Sequence, residues 1–131
     1  MASTYTQAPS VAAPDAKPPV FLLDASFDPY SRQVYVGLSN RSLVTLDALV
    51  VDAQIESSNG SVENRKFMFK YVDPSKSAVD EASVGRFDKP QLGAVRAVTV
   101  CQVGGHYVDD CGAYLDGKLS GEVPVIVRLT H

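Results

Sequence analysis

Two cysteines, Cys101 and Cys111, with His106 between them, are the residues of this sequence whose types and spacing best suit chemistry. In an oxidising compartment the pair would close the loop Gln102 to Asp110 as a disulfide, stabilising the fold by about 2–3 kcal/mol. In a reducing compartment both would stay thiols, and Cys101, late in a strand, would serve as a small core hydrophobe. Thiolate catalysis needs a depressed pKa beside a base, and this is not the close Cys-x-x-Cys spacing of redox proteins. Cys101, His106 and Cys111 supply three zinc ligands where a structural site takes four, and the other histidine, His131, is the last residue. Downstream, Asp109, Asp110 and Asp116 bring carboxylates close together, the oxygen chemistry that calcium takes. The order of an EF-hand loop is absent, so a solvated acidic loop is expected, with no metal and no cofactor.

Hydrolytic chemistry finds little support. With His106 and His131 as the only histidines and no G-x-S-x-G elbow, a nucleophile–base–acid set is missing. Gly104-Gly105 has neither the following Lys-Ser/Thr nor the helix of a phosphate cradle. Asn40-Arg41-Ser42 and Asn59-Gly60-Ser61 both match the N-glycosylation pattern, and both also read as turns. The expectation is a protein that is not an enzyme; a small metal-binding or hydrolytic module using the 104–117 loop is kept as a remote alternative.

The elements that must position these residues are strands. The chain has 131 residues, 45% hydrophobic and 21% charged, a size that fits one core. Valine occurs 19 times and tryptophan not at all. Valine loses rotamer freedom in a helix and packs well on a pleated sheet. Period-two alternation predicts strands over Val20–Phe27, Arg32–Ser39, Leu46–Ser57 and Arg65–Val72. Leu49, Val51, Ala53 and Ile55 face inward on the third of these, and Phe67, Phe69 and Tyr71 on the fourth. Asn59-Gly60 accepts the positive φ angles of a tight hairpin between them. Further strands are expected over Ala94–Val103 and Glu122–Thr130, with a short one at Ala113–Leu115 inside a polar loop from Gly104 to Gly121. Asp73–Asp80, with Pro74 near its start, is the one plausible helical turn.

Residues 1–19 differ in kind. They hold Pro9, Pro14, Pro18 and Pro19, four of the eight prolines, among Ala, Ser, Thr and Gln. With no periodic apolar face, the segment reads as an extended arm or linker before a single β domain at 20–131. It lacks the basic stretch and continuous apolar run of a secretory signal. Pro124 and the Pro18-Pro19-Val20 run place prolines at the first and last strands, as at managed sheet edges, or at an edge left for a neighbour's strand. The net charge of −3 and pI near 5.2 remove the electrostatic case for nucleic acid. No apolar run is long enough to insert in a membrane.

Val34–Ser42 (VYVGLSNRS), Ala48–Ile55 and Phe67–Tyr71 together resemble bacterial immunoglobulin-like envelope domains, which place an Asn-x-Ser turn between the second and third strands. The resemblance covers about forty residues, implies the fold and transfers no site. The reading is therefore an all-β antiparallel sandwich, immunoglobulin-like or jelly-roll-like, of about seven strands with an N-terminal arm. The expected role is a non-enzymatic structural or assembly protein, as in a virion or other multi-subunit complex. It would act through self-association or other protein contacts, with Pro9, Pro14, Pro18, Pro19 and Val20 as candidate interaction residues. The alternative is a periplasmic or extracellular interaction domain tethered by the arm. The sequence leaves the compartment open.

Overall fold

The computed structural model describes residues 20–85 and 89–129. The arm 1–19, with Pro9, Pro14, Pro18 and Pro19, and the terminal His131 lie outside the described residues. Among the described residues nine strands form two sheets packed face to face: β1 Phe21–Asp28, β2 Gln33–Asn40, β3 Leu46–Ser57, β4 Val62–Val72, β5 Ser77–Ser83, β6 Pro90–Val103, β7 His106–Tyr107, β8 Leu115–Gly117 and β9 Val125–Val127. The first sheet runs β5-β2-β1-β8; the second runs β4-β3-β6-β7, with β9 also on β6. The protein is an all-β sandwich.

Alternation builds the core as the sequence implies. Leu23 and Phe27 from β1, Val34 and Leu38 from β2, Leu49, Val51 and Ile55 from β3 and Phe67 and Phe69 from β4 are all buried between the sheets. Burying each such side chain contributes about 1.5–3 kcal/mol before ordering entropy is counted. The β3–β4 hairpin turns at Asn59-Gly60, with Gly60 at φ 89° and the Asn59 carboxamide oxygen accepting from the Ser61 N–H at 2.9 Å.

Several elements differ from expectation. Tyr71 is 76% exposed rather than inward, because its φ of 55° takes it out of the alternation, and Val72 is the next buried residue. The proposed helical turn at 73–80 is instead a tight turn at Pro74-Ser75 followed by strand β5, whose pairing partner β2 supplies the ladder that local propensity could not anticipate. The 104–121 loop is more ordered than its composition suggests. Gly104 (φ 57°) and Gly105 (φ 84°) make a two-residue hairpin between β6 and β7, a pair of positive φ angles that glycine adopts without steric cost. Cys111–Tyr114 is a 3-10 turn, so the short strand begins at Leu115 and not at Ala113.

The last strand is also shorter than the alternation implied. Among the described residues only Val125–Val127 of it pairs in a ladder, while Val123 makes a single bridge to Ala25 and Thr130 lies outside the described residues. Both late strands join in parallel, β8 to β1 and β9 to β6, so the otherwise antiparallel sheets are mixed. This moves β1 from the edge expected of it to an interior position between β2 and β8. The segment between β8 and β9 crosses from one sheet to the other. The Lys118 N–H donates to Leu23, the Val125 N–H donates to Lys118, and the Gly93 N–H donates to the Pro124 carbonyl at 2.8 Å. Gly117 is required there: a Cβ would fall well inside van der Waals distance of the Val125 backbone.

Candidate interaction surface

The residues singled out for chemistry do not converge. Cys101 and Cys111 are joined as a disulfide, their Cα atoms 6.3 Å apart and both buried, and the bridge ties the 3-10 turn to β6. His106 is exposed on β7, and Asp109, Asp110 and Asp116 are exposed too. Among the described residues no group of three or more His, Cys, Asp or Glu side chains is close enough to share a metal ion. An apolar void of about 20 Å³ lies between the sheets, lined by residues such as Leu23, Val51, Phe67 and Val95. That is room for about one water molecule and far below the several hundred Å³ of a ligand pocket.

The two Asn-x-Ser sequences separate cleanly. Asn40 is 1% exposed, and its amide donates to the carbonyls of Val72 (2.7 Å) and Val44 (3.0 Å). Its side-chain oxygen accepts from the Ser42 N–H and hydroxyl at 2.9 and 2.7 Å. Its own N–H and carbonyl bind Lys76 and Ser75 across the β4–β5 turn. Asn40 therefore pins the β2–β3 loop to the β4–β5 turn, and no sugar-transferring enzyme has access to its nitrogen. Asn59 is exposed at a hairpin tip.

Exposed apolar side chains gather on the outer face of the second sheet. In register across three strands stand Met68, Val50 and Val100, which are 46%, 9% and 37% exposed. Val50 alternates with the core residues Leu49 and Val51 and so points away from the core. The next row runs Lys70, Ala48, Gln102 and Tyr107, with Tyr107 74% exposed. The row on the other side holds an ion pair, Lys66 Nζ to Asp52 Oδ1 at 2.9 Å. An apolar centre bounded by long polar side chains is the anatomy of a protein-binding patch. Val20, a candidate interaction residue, is instead 3% exposed, its N–H bonded to the Tyr114 carbonyl at 3.0 Å. The sequence reading missed the outer patch because Val50 and Met68 sit in the positions alternation marks as solvent-facing.

No family model, curated protein or solved structure matches the chain.

Proposed function

We propose that this chain is a non-enzymatic structural subunit that works through protein–protein contacts, within a multi-subunit complex such as a virion. The outer face of the second sheet and the N-terminal segment 1–19 carry those contacts. The observation that supports this reading best is the Met68–Val50–Val100 row with Tyr107 beside it, since two of these residues would lose apolar exposure in an interface. Replacing Met68 and Val100 with Lys tests it. Self-association measured by sedimentation is expected to fall at least tenfold, with the melting temperature unchanged within about 2 °C. A doubly substituted chain that associates like the parent would remove this face from the function.

The Cys101–Cys111 pairing favours a second reading, an extracytoplasmic interaction domain tethered by residues 1–19. Free thiols in protein recovered from an oxidising compartment would contradict it.

A further inference from the structure

The two outer faces of the sandwich differ in charge. On the second sheet, β4 presents Lys66, Met68 and Lys70 at alternate positions, all three exposed. Met68 therefore sits between two lysines whose backbones are about 14 Å apart. The Lys66 row holds one acid, Asp52, and Lys66 already pairs with it at 2.9 Å. The Lys70 row continues through Ala48, Gln102 and Tyr107 and holds no acid.

The first sheet is the reverse. Its strands β1, β2, β5 and β8 carry Asp24, Asp28, Asp80, Glu81 and Asp116 and no lysine or arginine. Asp80 turns to the seam between the sheets, where its carboxylate accepts from the Met68 N–H at 2.8 Å. On the outer face, Val79, Gly37 and Asp24 form one row, and Glu81, Tyr35 and Ser26 the next. Val79 is 67% exposed. The Asp24 carboxylate lies over Gly37, where a Cβ would meet Oδ1 at 2.5 Å, so the charge leans toward Val79. Asp24 and Glu81 are both exposed, their backbones about 12 Å apart with Val79 beside both.

Deepening the assembly reading above, on which it rests, we infer that the second-sheet face docks the first-sheet face of another copy of this chain. Met68 packs on Val79, with Lys66 and Lys70 set beside Asp24 and Glu81. Charge selects this occupant. Two second-sheet faces brought together would crowd four lysines around one apolar row, and two first-sheet faces would set acid against acid. The unlike pairing puts opposite charges around an apolar centre at similar spacings. Exposed ion pairs contribute little singly, so the charges choose partner and register while apolar burial supplies the association. The two faces lie on opposite sides of one sandwich. Each copy therefore engages two neighbours, and growth passes beyond a dimer.

The test reverses each face of the full chain in turn, with Lys66→Glu plus Lys70→Glu in one variant and Asp24→Lys plus Glu81→Lys in the other. Each variant is expected to melt like the parent and to lose self-association at least tenfold by light scattering. Where a pair lowers the melting temperature, the single Lys70→Glu or Glu81→Lys chain replaces it, with a loss expected in the same direction. The chain carrying all four substitutions keeps the parent's net charge of −3 and is expected to recover association. A fourfold chain that stays dissociated, or a parent that stops at a dimer, would overturn the pairing of these two faces. So would a loss confined to one variant; if that is the lysine pair, the second-sheet face stands as a contact and only its partner is wrong. The Met68→Lys, Val100→Lys chain separates the remaining cases. If it dissociates while both charge variants associate like the parent, the patch stands and this partner falls. If it too associates like the parent, the assembly reading of that face falls as well.

Discussion

Asn40 shows how much one side chain organises. Its amide nitrogen and carboxamide oxygen satisfy two carbonyls and two donors from two separate stretches of chain, the β2–β3 loop and the end of β4. Asn40→Ala would leave the Val72 and Val44 carbonyls without that donor in a buried site, an expected loss of about 2–4 kcal/mol in urea unfolding. Asn40→Asp should cost a similar amount, because a carboxylate cannot donate to either carbonyl; an aspartate variant as stable as the parent would show that those two bonds carry little. A smaller electrostatic effect sits at the β1–β2 turn. The Tyr30 N–H, and after it the Ser31 hydroxyl, donate to the Asp28 carboxylate and hold its pKa below the ordinary 3.8. A depressed folded pKa means the contribution is complete above that ordinary value and is lost as pH falls through the folded value. An NMR titration of Asp28 should therefore give a midpoint under 3.8, and Asp28→Asn should flatten this part of the acid limb.

Two elements set how the sandwich closes, and each gives an expectation. At the crossing between β8 and β9, Gly117→Ala would force a Cβ into the Val125 backbone, which cannot rotate away. A loss of about 2 kcal/mol or more is expected, with weakened amide-exchange protection at Lys118 and Val125. The disulfide acts beside it: replacing both cysteines with Ser should lower stability by about 2–3 kcal/mol, from the loop entropy of a ten-residue separation. Thermal melts of oxidised and Ser-substituted chains measure the difference directly.

The elements also mark what the residues alone disclose. β2, β3 and the Asn59-Gly60 hairpin were legible because alternation over seven or more residues and a turn dipeptide agree there. β5 was not, since SAVDEAS has one large apolar residue, Val79, and that one is exposed; its strand state comes from β2. Tyr71 was misplaced because a local positive φ breaks a two-residue period without any sign in composition. The candidate surface was hidden for a related reason. Only the register of β4, β3 and β6 brings Met68, Val50 and Val100 together, and register between distant strands is not written in local sequence.

At the scale of the whole molecule, the sandwich leaves one feature unaccounted for by its own stability, the apolar row Met68–Val50–Val100 on the outer face of the second sheet. A chain stabilised only for itself gains nothing from exposing it, whereas a subunit gains contact area. The central claim is that this chain assembles through residues 1–19 and the face around β6. The most direct measurement is the solution mass of the full chain beside the chain beginning at Val20, by light scattering at matched concentration. The expected result is a multiple of 14.0 kDa for the full chain and a single subunit, lighter than 14.0 kDa by the missing nineteen residues, for the shortened one. A monomer in both cases would contradict the account.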